Sequence, residues 1–228
     1  MTQILVSVLL PTRQRTKMVE SSVRSLLKSC SDPSQIEIVV AYDNDDRESK
    51  KYFTSSAWKD FMRDLGSSYH TMSCEPWGYA NLNKYYNAMA LASRGKWLLI
   101  WNDDALISST GWDQQIQEHQ DFVGMLHMTT TNFKSNLTLF PLIPRKWLEL
   151  FGEISPQQIT DSWIQDICHL ADAVKSIPAT VFHDRYDVTG NNLDDTYKNR
   201  WYNKKGYNHE SMKLMRQQWA EKLKRCRE

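Results

Sequence analysis

The run Trp97-Leu98-Leu99-Ile100-Trp101, followed at once by Asn102-Asp103-Asp104-Ala105, constrains the fold more than any other stretch of the chain. Five consecutive apolar residues of β-forming type suit a strand covered on both faces. Open α/β sheets built from such strands bind ligands beyond the carboxyl ends, which is where Asn102, Asp103 and Asp104 stand. Adjacent carboxylates repel each other unless a cation joins them. Oxygen ligands of this kind suit Mg²⁺ or Mn²⁺, held by one or two carboxylates together with substrate phosphates. An Asn-Asp-Asp turn with solvated acids is the alternative that the tripeptide alone leaves open.

The segments upstream repeat the pattern. Residues 4–10 read as a buried strand that enters the polar loop Pro11-Thr12-Arg13-Gln14-Arg15-Thr16, whose two cations suit a phosphate or a base. Val19, Val23, Leu26, Leu27 and Cys30 then share one helical face, with Thr16 as its N-cap. After Pro33, residues 36–42 form a second strand that again ends in acids, Asp43, Asn44, Asp45 and Asp46. Strand, helix, strand is the parallel βαβ unit. Phe53, Ala57, Phe61 and Leu65 predict one helix closed by Gly66. Residues 75–90 change from loop to helix, ending at Arg94-Gly95, so the order to this point is β, α, β, α, α, β.

The second half is less regular. Residues 122–128 and 137–143 read as strands and 144–151 as a short helix. Asp161 precedes Ile164, Ile167, Cys168, Ala171 and Val174 on one helical face, so it lies at a helix N-terminus, where a capping carboxylate is the plain structural reading. Residues 179–183 form a last strand ending in His183.

With 228 residues, 41% of them apolar, the chain can build one sizeable α/β domain. Charge is uneven along it. Residues 198–228 hold ten Lys/Arg against three Glu, or +7, while the remaining 18 Lys/Arg against 24 acids give −6. The expected organisation is therefore a domain over 1–197 and a basic, aromatic-rich extension over 198–228. The extension is either a solvated helix face or a surface for nucleic acid or anionic membrane. Cys30, Cys74, Cys168 and Cys226 show no C-x-x-C spacing, and no apolar run approaches the ~20 residues that cross a bilayer. With no secretory leader at the start, a cytoplasmic protein with reduced thiols is the expectation. Neither G-x-G-x-x-G nor a G-x-x-x-x-G-K-[ST] loop occurs, which weakens dinucleotide-binding and P-loop readings.

Taken in order, several pieces resemble the inverting nucleotide-sugar glycosyltransferases of the GT-A fold, the large family two. They are Val8-Leu9-Leu10-Pro11-Thr12-Arg13, residues 37–43, Asn87 followed by Arg94-Gly95-Lys96-Trp97, and Trp101-Asn102-Asp103-Asp104-Ala105 with Gly111-Trp112 after it. The resemblance covers about residues 4–183. It implies a mixed, mostly parallel sheet flanked by helices. Pro11, Thr12 and Arg13 would line the donor nucleotide, and Asp43 would contact its base or ribose. Asn102-Asp103-Asp104 matches the family's D-x-D motif, with Asn102 and Asp103 on the donor side and Asp104 as the metal-touching carboxylate. His183 would complete a Mn²⁺ or Mg²⁺ site, and Asp161 would be the catalytic base. The donor would be a nucleotide sugar, a UDP-sugar above others, and the enzyme a hexosyl- or pentosyltransferase. The sequence departs from the pattern at Tyr42 and Tyr86, where the family carries an acid and an arginine. Lys84 or Arg15 are the candidates for the missing cation.

The acceptor is less legible. Trp201, Tyr202, Lys204, Lys205, Tyr207, Met212, Met215 and Trp219 interleave cations with rings and thioethers, a pattern that suits backbone phosphates and stacked bases. A hydroxylated DNA base, as in phage DNA modification, is therefore one acceptor reading, beside glycans and lipid-linked acceptors. Two other classes compete: a sugar nucleotidyltransferase, which also uses strand-end acids and a metal, and a non-catalytic binder of nucleotide sugars.

Overall fold

In this computed structural model, residues 3–132, 137–198, 200 and 204–227 are described. The chain runs β1 (Val6–Thr12), α1 (Thr16–Ser29), β2 (Ile36–Asp43), α2 (Arg47–Phe53), α3 (Ser56–Asp64), β3 (Ser68–Cys74), α4 (Leu82–Ala92), β4 (Trp97–Ile100) and β5 (Ala105–Ile107). It continues through α5 (Trp112–Gln117), β6 (Met125–Thr130), β7 (Leu142–Pro144), α6 (Lys146–Phe151), α7 (Thr160–Leu170) and β8 (Val174–His183). The helices α8 (Tyr186–Thr189), α9 (Asp195–Lys198), α10 (Lys204–Tyr207) and α11 (Glu210–Arg227) come last.

Side chains of a strand alternate between faces, and here both faces are apolar. Val8, Leu10, Ile38, Val40, Trp97 and Leu99 face one side, where α1, α2, α3 and α5 pack through residues such as Val23, Leu26, Trp58 and Trp112. Leu9, Val39, Ala41, Leu98 and Ile100 face the other, against Met89 of α4, Trp147 of α6 and Trp163 of α7. Helices therefore cover both faces of one sheet. Its order is β3-β2-β1-β4-β7-β6-β8-β5. Neighbours pair in parallel from β3 through β4 and again at β6–β8, whereas β4–β7, β7–β6 and β8–β5 are antiparallel. This is the expected mixed, mostly parallel sheet flanked by helices.

The turn into β4 explains why Arg94-Gly95 stands where it does. A Cβ on Gly95 would lie 2.4 Å from the Ser7 backbone nitrogen, so only glycine lets the chain pass β1 there. The Ser7 hydroxyl accepts from the Gly95 N–H and donates to Glu37 at 2.6 Å, and Glu37 also takes the Arg94 N–H and guanidinium. Burial opposes ionisation of Glu37, yet these donors hold its pKa below the usual range. One buried carboxylate thus locks β1, β2 and the start of β4 into register.

Several elements differ from expectation. The single helix through Phe53, Ala57, Phe61 and Leu65 is two, because the Ser55 hydroxyl caps a new start at the Trp58 N–H. The buried face of the pair is Phe53, Trp58 and Met62, and Ala57 is exposed. Thr16 is the first helical residue of α1 rather than its cap, a position that Arg15 takes without a side-chain hydrogen bond. Strand β3 has a polar sequence because it is a half-exposed edge. Strand β5 spans three residues, too few to show a pattern. Residues 137–143 contribute only the first part of β7, and Val174 belongs to β8 rather than to α7.

Candidate active site

The carboxyl ends of β1, β2 and β4 deliver a set of acids and arginines to one edge of the sheet. At the end of β1, the Thr12 hydroxyl donates to Asp103 Oδ2 at 2.7 Å, and Arg15 Nη1 donates to Asp103 Oδ1 at 3.0 Å. Burial pushes the Asp103 pKa up, Arg15 pulls it down and the neighbouring Asp104 adds to the rise. Arg13 lies between Asp43 at 2.6 Å and Asp45 at 2.5 Å. The other oxygen of Asp43 accepts the Tyr85 hydroxyl of α4. The next residue, Tyr86, is buried and shares its hydroxyl proton between the Trp101 carbonyl (3.1 Å) and Asn102 Oδ1 (3.0 Å). Two consecutive tyrosines of one helix thus brace the tips of β2 and β4.

Asp104 and His183 meet through sheet pairing. Ala105 of β5 stands opposite His183 of β8, and the Asp184 N–H donates to the Asp104 carbonyl at 2.8 Å. This register leaves Asp104 Oδ1 2.9 Å from His183 Nε2. The imidazole is buried against Phe140, with its backbone held by Asn132, and its Nδ1 has no partner among the described residues. Among the described residues no group of three or more His, Cys, Asp or Glu could hold a metal ion. The pair offers one imidazole nitrogen and one carboxylate oxygen, donor types that divalent metal ions accept. The 2.9 Å contact is a direct hydrogen bond, and the same two atoms are the ones a divalent ion would take. The two donors would hold a divalent ion only together with further ligands from outside the described residues.

Asp161 is the second residue of α7, and its Oδ1 accepts the Ser162 N–H at 2.8 Å. Burial raises its pKa, and the backbone hydrogen bonds and the charges of Arg185 and His183 only partly offset that. The loop before α7 is held by amides of α4. Asn87 Nδ2 donates to Glu153 and to the Ser155 carbonyl, and Oδ1 accepts from the Ile154 and Ser155 N–H groups. Asn83 also donates to the Ser155 carbonyl, and Gln158 to the Tyr79 carbonyl.

All of these ends open onto one cleft of about 430 Å³. Pro11, Thr12, Arg13, Asp43, Asn102, Asp103, Asp104, Asp161 and His183, the nine residues singled out from sequence, all line it. Of the two candidate cations, Arg15 lines the cleft, whereas Lys84 is exposed and does not. Tyr42 is turned away, buried and stacked on Phe53 at 5.5 Å, so the departure there is absorbed by packing. Sequence reading missed Tyr85, Gln158 and the wall made by Arg185, Thr196, Tyr197 and Arg200. That wall comes after the last strand without a periodic pattern, and only Asp194-Asp195 before Thr196, an acidic helix start, hinted at it. The rings assigned to base stacking behave differently. Trp219 stacks on Phe151 at 4.2 Å and meets Trp147 and Trp163 edge-on, and Met212 and Met215 pack on the same core. Tyr207 is buried and donates to Asp166, whereas Trp201 and Tyr202 lie outside the described residues.

No protein-family model and no curated protein matches the sequence. Solved structures do. A mannosyltransferase from Pyrobaculum calidifontis, PcManGT, in complex with GDP-Man and Mn²⁺, superposes with a TM-score of 0.60 at 15% identity, over 80% of this chain and 57% of that one. TarS 1–349 of S. aureus in complex with UDP gives 0.58 at 14% identity, over 81% and 63%. The same protein in complex with UDP-GlcNAc gives 0.58 at 14%, over 84% and 62%. The chain thus spans about three fifths of the length of these neighbours. A sheet that places its acid-bearing strand ends around one cleft, and that superposes on these structures, has a GT-A-like fold.

Proposed function

We propose that this protein is a metal-dependent, inverting glycosyltransferase that moves a sugar from a nucleoside-diphosphate donor to an acceptor hydroxyl. One observation carries the reading: Asp161, the Asp104–His183 pair and the Thr12–Asp103–Arg15 cluster face a single cleft at the strand ends. The neighbours crystallised with GDP-Man and Mn²⁺ or with UDP-GlcNAc support it.

Asp104 and His183 would hold the divalent ion, which when bound neutralises charge on the departing diphosphate. Arg15, Thr12 and Asn102 bind and orient the donor around it, with Asp43 and Arg13 toward the nucleoside. Asp161 takes the proton of the acceptor hydroxyl as general base, from the side of the sugar opposite the diphosphate. A single displacement then inverts the anomeric carbon, and alignment of the two substrates supplies much of the acceleration.

The acceptor hydroxyl belongs to a saccharide in this reading, because Tyr79, Leu82, Leu139 and Tyr197 line the cleft as ring and aliphatic walls. A hydroxylated DNA base has less support, since Trp219 and Tyr207 are spent on packing, and Lys213 and Lys224 on Glu210 and Glu221. In this reading residues 1–197, with Arg200, carry the chemistry, and α11 braces α7 from behind. The test is a panel of UDP-glucose, UDP-GlcNAc and GDP-mannose with Mn²⁺. Slow donor hydrolysis is expected and, once a saccharide acceptor is added, transfer with an inverted product by NMR. With pyrophosphate added, formation of UTP or GTP and sugar 1-phosphate would mean a nucleotidyltransferase, and no turnover of any donor a binding protein.

A further inference from the structure

Arg15 is held from two unequal sides. Its Nη1 meets buried Asp103, whereas Nε and Nη2, the paired donors on the edge of the guanidinium, both go to Asp194 at 2.5 and 2.6 Å. The Arg15 side chain is 9% exposed, and those of Asp103 and Asp194 are 7% and 38% exposed. Asp194 belongs to the segment after β8, and it also caps α9 by accepting the Tyr197 N–H at 2.8 Å. Thr196 donates to the Arg13 carbonyl at 3.4 Å, so this segment lies across the loop after β1.

A guanidinium edge of this kind recognises a carboxylate and a phosphate with the same two N–H groups. Both cannot use it at once. Arg15 feels the charge of Asp104 as well as those of Asp103 and Asp194, so a diphosphate beside Asp104 and His183 would come within reach of the same guanidinium and compete with the carboxylates already on it. Asp194 is the partner better placed to let go, because it is the more solvated one and keeps its bond to the Tyr197 N–H. Asp103 is buried and bonded to Thr12 as well.

We propose that Arg15 is a diphosphate-binding residue of this site, and that Asp194 is its placeholder, occupying the guanidinium edge until a nucleoside diphosphate takes it. The donor then displaces a carboxylate of the chain itself, and affinity for the diphosphate is set partly by that exchange. This rests on the reading of the cleft as a nucleoside-diphosphate site.

The test is calorimetric titration of UDP and of GDP, each with Mn²⁺, into the wild-type protein, Asp194→Asn and Asp194→Ala. Asp194 is partly exposed, so both variants are expected to fold. Removing a competing charge from a part-exposed pair should tighten binding by about two- to fivefold. The gain should vanish when Arg15→Gln is added, as a double-mutant cycle requires. Unchanged or weaker binding in both Asp194 variants would overturn the placeholder role, since a merely structural strap would loosen the site when cut. Absence of any UDP or GDP binding to the wild-type protein would instead remove the nucleotide reading of the cleft, and this proposal with it.

Discussion

His183 Nε2 and Asp104 Oδ1 are 2.9 Å apart although 79 residues separate them in sequence, because β5 runs antiparallel to the end of β8 and sets Ala105 opposite His183. The pair should behave as one unit. His183→Ala and Asp104→Asn are each expected to lower Mn²⁺-dependent transfer by about 100-fold or more, above the range typical of outer-shell groups. The double variant should lose little beyond either single one. Mn²⁺ titration of the initial rate checks this, with chelation by EDTA as the metal-free reference.

Asp161→Asn should lower kcat by about 10²–10⁴-fold, the usual contribution of a general base, with donor KM nearly unchanged. Burial raises the Asp161 pKa, so activity should fall on acidification at a pH above that of an ordinary aspartate. The sign for stability is opposite to that of a salt-bridged acid. A carboxyl whose folded pKa is raised costs stability as pH rises past its unfolded value. Asp161→Asn should therefore melt higher than wild type at pH 7 and lose that advantage near pH 3, which thermal unfolding at the two pH values would show.

Asn87 gives both ends of its amide to the backbone and side chains of residues 153–155. Asn87→Ala leaves those groups unpaired in a part-buried setting and should cost about 1–3 kcal/mol in denaturant unfolding. The same loop leads into Asp161, so kcat should fall more than donor affinity does.

Trp219 lies flat on Phe151 with ring planes 3° apart. Trp219→Ala should destabilise the protein by about 2–3 kcal/mol, toward the lower end for a large aromatic because the ring is half-buried. Any binding of DNA oligonucleotides at low salt should change no more than the loss of stability explains. A large, selective loss of DNA binding in a folded variant would restore the stacking reading of this residue.

Much of the site is legible in the sequence because its residues stand at the ends of local patterns. The runs 36–42 and 97–101 are apolar nearly throughout, which makes them strands covered on both sides, and the first leads directly into Asp43, the second into Asn102-Asp103-Asp104. Asp161 and His183 also stand at pattern ends, one at the start of a helical face and the other at the end of a strand, but local pattern alone reads both as structural, and only the resemblance to the family-two glycosyltransferases implies a role for them. The illegible parts have no such local signature. Strand β3 is a polar edge, β5 spans three residues, and the face of α11 that carries Met212, Met215 and Trp219 reads equally well as exposed or buried until a partner is known.

Sequence by itself determined the α/β alternation, the two-sided burial of the central strands and the residue types that line the cleft, because hydrophobic period and chain order are local properties. Tertiary structure alone decided which charges meet. Arg15 rather than Lys84 enters the cleft, Asp194 reaches Arg15 from 179 residues away, and Trp219 is spent on Phe151 rather than on a ligand. Those outcomes depend on strand register and on the path of the chain after β8, and the energies that set them arise between segments that share no pattern in sequence.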